Sequence, residues 1–205
     1  MPAKRLPLLL AALTLALAPL AAAPARAATD PAASQIATFD SALLDTMKQG
    51  AALGAKGRYH KLEPVIQRTF DLPAMARFAV GPTAWAKFTP QQQADVIDAF
   101  GKLTIASYAR NFSGYGGESF NIDPNVVTRG PDKLVSTHLI RAHDGPVALL
   151  YRMRDSGGSW KVIDVYFNSI SQLTTRRSDF AGPVASGGAP SLIAHLNTLV
   201  ANQQK

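Results

Sequence analysis

The spacing of apolar residues changes once along the chain, near Glu118, and the change divides it in two. Before that point apolar residues recur every three or four positions, and after it they alternate. Ile36, Phe39, Leu43, Leu44 and Met47 predict a first helix. Thr29 or Asp30 caps it, Pro31 stands in its first turn, and Gly50, Gly54 and Gly57 end it. Leu62, Val65, Ile66 and Phe70 predict a second helix over Arg58 to Thr69, starting late or kinked because Pro64 lies inside it. Asp71-Leu72-Pro73 opens a short third helix with Met75, Phe78 and Ala79 inward, and Gly81-Pro82 stops it. Trp85 and Phe88 fall in a connector. Thr89-Pro90 then caps and opens the longest helix, whose stripe is Ile97, Phe100, Leu103, Thr104, Tyr108 and Phe112.

Beyond the glycines of Asn111 to Gly117 the pattern is that of strands. Phe120 to Ile122 is a short one, and Val126 to Thr128 extends or follows it. Leu134 to Ala142 puts Val135, Thr137 and Leu139 on one face and Ser136 and His138 on the other. Val147 to Met153 and Trp160 to Phe167 form a hairpin across a loop of Asp155 to Ser159. A helix-like tail runs over Asn168 to Phe180. A Gly/Ala/Pro loop covers Ala181 to Ala189, and a last helix covers Pro190 to Val200. Such segregation predicts an α+β fold. Its N-terminal helices pack on one face of a four- to five-stranded antiparallel curved sheet, with helices again at the C-terminus.

The first 27 residues stand outside that scheme. Lys4 and Arg5 precede an apolar run from Leu6 to Leu20, and Ala25-Arg26-Ala27 has the A-x-A cleavage pattern of a secretory signal peptide. Residues 28–205 are then expected to form one domain. The precursor charge of +7 falls to +4 when Lys4, Arg5 and Arg26 leave. That mild excess suits anionic headgroups, and an exported chain has little call on nucleic acid. The chain has no Cys, which removes disulfides, thiolate metal sites and Cys nucleophiles together.

Catalytic chemistry is hard to assemble. His60, His138, His143 and His195 have no metal-ligand spacing among them, and no metal or cofactor is expected. Of the four, only strand-borne His138 can face a pocket. Ser171 lies in no G-x-S-x-G, and Gly114-Tyr115-Gly116-Gly117 follows a helix and reads as a helix stop. Asp164 is a carboxylate inside an apolar strand. An ion pair or hydrogen bond to an arginine is its expected role, and a general base in a cavity is the alternative. What remains is apolar area, with Phe78, Trp85, Phe100, Tyr108, Phe112, Tyr115 and Phe120 set before the sheet.

The order of several short motifs resembles the MlaC-type, or toluene-tolerance, family of periplasmic phospholipid-binding proteins. They are Arg77-Phe78 with Gly81 and Trp85, Thr89-Pro90-Gln91-Gln92, Tyr108-Ala109, Tyr151-Arg152-Met153, Trp160 to Val165, and Ile170-Ser171 before Arg177-Ser178-Asp179-Phe180. The resemblance runs from about Phe39 to Leu199. It departs where the family pattern reads Glu-Gly-Val-Ser and this chain reads Asn168-Ser169-Ile170-Ser171. That variant resembles the hopanoid-associated HpnM branch.

The resemblance implies a non-catalytic, monomeric carrier in the periplasm, with a cystatin/NTF2-like lipid cavity between sheet and helices. Its ligand is a phospholipid or a hopanoid-type lipid. Its partners are an inner-membrane ABC transporter complex and an outer-membrane lipoprotein complex. On this reading the lining is Phe78, Trp85, Phe100, Leu103, Tyr108, Val135, Leu139, Leu149, Tyr151, Val165 and Phe167. Arg141, Arg176 and Arg177 are expected at the rim, for headgroup contact or docking. Two other readings stay open: an isomerase or hydrolase using Asp164, and an adaptor of a membrane complex that binds no lipid.

Overall fold

The computed structural model describes residues 30–142 and 144–204. The signal-peptide reading, Thr29 and His143 lie outside them. Helix α1 (Pro31–Lys48) starts where Asp30 accepts a hydrogen bond from the Ala32 amide at 2.8 Å. Its buried stripe is Ile36, Phe39, Asp40, Leu43 and Met47. Helix α2 (Gly50–Thr69) follows almost at once, earlier than the glycines suggest. Gly50 serves close approach, since a Cβ there would meet the Ser113 carbonyl oxygen at 2.0 Å. Arg58 ties the same corner, donating to the carbonyls of Ala109 at 2.7 Å and Gly50 at 2.8 Å. Only Gly54 breaks helical geometry, at φ 60°, and Pro64 is accommodated.

Helix α3 (Leu72–Val80) is capped by Asp71, and α4 (Pro82–Trp85) is a single turn that takes in Trp85. Helix α5 (Pro90–Asn111) opens on a full capping box between Thr89 and Gln92.

The strands are β1 (Ser119–Ile122), β2 (Val127–Arg129), β3 (Asp132–Ile140), β4 (Val147–Ser156), β5 (Ser159–Phe167) and β6 (Ile170–Ser171). They form one antiparallel sheet in the order β1-β3-β4-β5-β6, with β2 beside β1 on the same edge of β3. The sheet gains a sixth strand because the start of the expected helical tail turns back as β6. The turn is Asn168-Ser169, both at positive φ (46° and 68°), between the paired residues Phe167 and Ile170. Two positive φ values in a two-residue loop are the type I′ pattern. Similarly, the β4–β5 hairpin needs only Gly157 and Gly158 as its turn.

Helix α6 (Gln172–Gln203) takes up most of the expected loop over Ala181–Ala189, and a break at Gly187 and Gly188 sets off the expected last helix as a separate segment beyond it. Alanines and serines hold the helix through that stretch, and only Gly187 and Gly188 leave helical geometry. Phe180, Ala189, Leu192 and Leu196 bury its inner face, against α5 and α3. The core lies between this helical layer and one face of the sheet. Among the described residues, no helix is long and apolar enough to cross a membrane.

Candidate functional site

Helix α5 and the inner face of the sheet do not meet along their whole length. Between them lies a cavity of about 840 Å³, open at one end. From α5 it is lined by Phe100, Thr104, Ser107, Tyr108, Asn111 and Phe112. These residues are three or four apart and share one helical face. From the sheet come Leu139 of β3, Val147, Leu149 and Tyr151 of β4, and Val165 and Phe167 of β5. They alternate along each strand and match across it, with Leu149 opposite Phe167 and Tyr151 opposite Val165. Met47, Phe70, Met75 and Leu173 close the sides.

The deep end is aromatic. Phe39 sits edge-on to Phe70, Tyr108 and Tyr151 at 5.3, 5.4 and 6.1 Å between ring centres. Tyr108 stacks on Phe112 at 5.6 Å. Behind these rings Asp40 is buried, and neither of its carboxylate oxygens has a hydrogen-bond partner. Burial pushes its pKa up from 3.8 to about 8, so the group is mostly neutral at pH 7. Burial also raises the phenol pKa values of Tyr108 and Tyr151. The inner end therefore offers a ligand surfaces without ionised groups.

Charge gathers at the mouth, where Glu118, Arg141 and Arg176 stand among the lining residues. Arg141 donates to the Gly145 carbonyl at 3.1 Å and pairs with Asp144 at 3.3 Å. Arg176 is half-buried, and burial lowers its pKa against the opposing pull of Asp179 at 3.9 Å.

Seven of the eleven expected lining residues meet here: Phe100, Tyr108, Leu139, Leu149, Tyr151, Val165 and Phe167. Four do not. Phe78 faces outward from α3 and is 46% exposed, under the Arg177 guanidinium at 5.5 Å. Trp85 is half-buried and packs against Phe88 and the core, outside the cavity lining. Leu103 is buried, but on the flank of the α5 stripe rather than at its centre. Val135 faces the same side as Leu139, about 13 Å further along the strand, where it is fully buried in the core that α1 and β3 share. Arg177 likewise leaves the rim for Phe78.

The cavity also uses residues the sequence pattern did not single out for it. Met47 and Met75 read as ordinary inward positions of helices. Phe70, Ser107, Asn111, Val147, Gln172 and Leu173 gave no signal beyond general periodicity.

Asp164 has structural partners, though none is an arginine. Its carboxylate accepts from the Ser171 hydroxyl at 2.7 Å and from the amides of Val165 and Leu173 at 2.8 and 3.2 Å. It thus ties β5 to the first turn of α6. Arg152 opposes Asp164 in register but donates instead to Asp132 at 2.6 Å. His138 is exposed and borders a smaller hollow of about 350 Å³ with Ser136, Tyr166 and Ser169. Among the described residues, no three His, Asp or Glu side chains gather as a metal site.

Residues 38–198 match the family described as MlaC protein. Among solved structures, the chain is similar to a phospholipid-binding protein from Ralstonia solanacearum, determined in complex with a phospholipid. The two share 24% identity and a TM-score of 0.75, over 86% of this chain and 100% of that one. At that identity the likeness establishes the fold. No curated protein matches.

Proposed function

The chain belongs to the MlaC family, and from that premise we propose that it is a lipid carrier that binds lipid tails in the cavity between α5 and the sheet. The observation that carries the reading is the cavity itself: about 840 Å³, aromatic and aliphatic inside, charged only at its mouth. Taking roughly 30 Å³ per methylene-sized group, as for a water molecule, it holds on the order of 28 such groups. That is close to two tails of about 15 carbons. Each buried CH₂ contributes ~0.8 kcal/mol, so bare tails of that size would cost on the order of 20 kcal/mol in water. A carrier has to cover that surface, and this cavity is built to do so. The phospholipid bound by the Ralstonia protein supports the same ligand class.

The finer features follow the same proposal. The first 27 residues direct export and are removed, leaving residues 28–205 as one lipid-binding domain in the periplasm. The carrier exchanges lipid with a membrane ABC transport complex and performs no catalysis. Commitment of Asp164 to holding α6 supports that last point. Gln172 lines the cavity mouth just after the variant stretch Asn168 to Ser171. The alternative ligand is a hopanoid or related terpenoid, which the resemblance of the Asn168 to Ser171 stretch implies.

Organic extraction of the purified protein followed by lipid mass spectrometry tests the reading and separates the two lipid classes. Thr104→Trp, which puts an indole into the cavity from α5, should cut the co-purified lipid severalfold while leaving the far-ultraviolet circular dichroism unchanged. A protein that carries no lipid, and takes none up from liposomes, would rule the carrier out.

A further inference from the structure

Six large apolar side chains are exposed among the described residues, and three of them stand at the cavity mouth. Phe167, 45% exposed, lines the opening itself. Ile170, at 62%, is its cross-strand partner on β6. Tyr115, at 45%, sits between the lining residues Gly114 and Glu118. Across the sheet the exposure climbs in register, from Leu149 at 9% to Phe167 and then Ile170. The cavity wall therefore continues outward as an apolar ramp to the edge of the molecule.

We propose that this rim is a bilayer-contacting lip, which seats the cavity mouth on an anionic membrane surface so that tails pass along the ramp without crossing water. The inference rests on the carrier reading. Isolated exposed apolar residues need no explanation, but a cluster of them at one opening does. Basic groups stand among the apolar ones. Lys48 lies 5.4 Å over the Tyr115 ring, and Arg141 and Arg176 line the mouth. Aromatic rings beside cations are the combination that settles at a headgroup boundary, rings toward the acyl region and charges toward phosphate.

Asp144 pairs with Arg141 and Asp179 with Arg176, which offsets those two charges locally. Apolar insertion is therefore the main attraction, and charge orients the approach. A short two-residue turn carries Phe167 and Ile170 at the tip, and the Asn168 amide anchors it to the Ala148 carbonyl at 3.0 Å. The lip is thus a fixed wedge.

The experiment is flotation of the purified protein with vesicles of phosphatidylethanolamine and phosphatidylglycerol, and separately of phosphatidylcholine. Tyr115→Ser with Ile170→Ser removes lip residues that do not line the cavity. Binding of monomeric dihexanoyl phosphatidylcholine is measured in parallel. The parent protein should float with the anionic vesicles more than with the neutral ones. The double variant should lose about tenfold in vesicle binding and in the rate of lipid uptake from vesicles, and keep its affinity for the short-chain lipid. If parent and variant bind vesicles equally, or neither binds, while short-chain lipid still binds, the lip is overturned and the carrier reading stands. Recruitment only to vesicles carrying a membrane protein would assign the rim to that protein and overturn the lip equally. Failure to bind lipid in any form would remove the carrier reading and the lip with it.

Discussion

Replacing Asp40 by Asn should stabilise the protein, and by an amount set by pH. The carboxyl is buried behind Phe39, Tyr108 and Tyr151 with no partner for either oxygen, and its pKa is about 8 against an ordinary 3.8. Above pH 3.8 the unfolded chain releases this proton, while the folded chain keeps it until about pH 8. The folded state binds more protons across that window, so stability falls as pH rises, by ~1.4 kcal/mol per unit. The loss is small near pH 4 and complete above about pH 8. At pH 7 it amounts to about 4 kcal/mol for a fully shielded group. Asn keeps the size of the neutral carboxyl and cannot ionise. It brings only a constant offset for its own buried amide.

The gap between Asp40→Asn and the parent should therefore widen with pH. For a chain of this size ~4 kcal/mol corresponds to a rise in Tm of roughly 10 °C at neutral pH. Urea unfolding of both proteins at about pH 4.5, 6 and 7.5 reads the gap directly. A gap that stays the same across that range would refute the reasoning, because it would mean that Asp40 reaches water or a partner in the folded state.

Two further substitutions test how the mouth is held. Asp164→Asn replaces a charged acceptor of the Ser171 hydroxyl and two amides, and should cost about 1–3 kcal/mol in urea unfolding. Its co-purified lipid should match the parent's, and a loss of lipid without loss of stability would point to a direct role in the site. Ser169 holds φ 68° in the β5–β6 turn, where the MlaC family pattern has Gly. Ser169→Gly should raise stability by about 0.5–1 kcal/mol, as relief of the left-handed strain exceeds the entropy Gly adds to the unfolded chain. A lower urea midpoint for this variant would show that the serine side chain makes a contact worth more than the strain.

Helix and strand identity was written locally. Asp30, Asp71 and Thr89 cap the helices their spacing implies, and the Thr89–Gln92 box forms in full. Alternation in β3, β4 and β5 correctly assigned the inward faces, because a strand can bury only every second residue. The order of short motifs carried the family. Where the local reading failed, a distant segment decided. Gly50 does mark the end of α1, but α2 begins there at once, and the Ser113 backbone passing against it leaves no room for a side chain. Ala181 to Ala189 looked like a loop, yet it is helical up to Ser186 and breaks only at Gly187 and Gly188, before the last helical segment.

The cavity shows the same division. The α5 stripe and the sheet alternation mark which side chains face inward, and periodicity says nothing about how far apart the two layers stand. Leu103 and Val135 face inward and are core, whereas Phe100 and Leu149 face inward and border open space. The difference lies in whether another layer reaches the residue, and that depends on where α1, α3 and α6 cross the sheet. The sequence by itself determined the elements, their apolar faces and the family. Only the tertiary structure decided where those faces close on each other and where they part to leave a lipid-sized volume. Separation between layers is set by contacts among residues far apart in the chain.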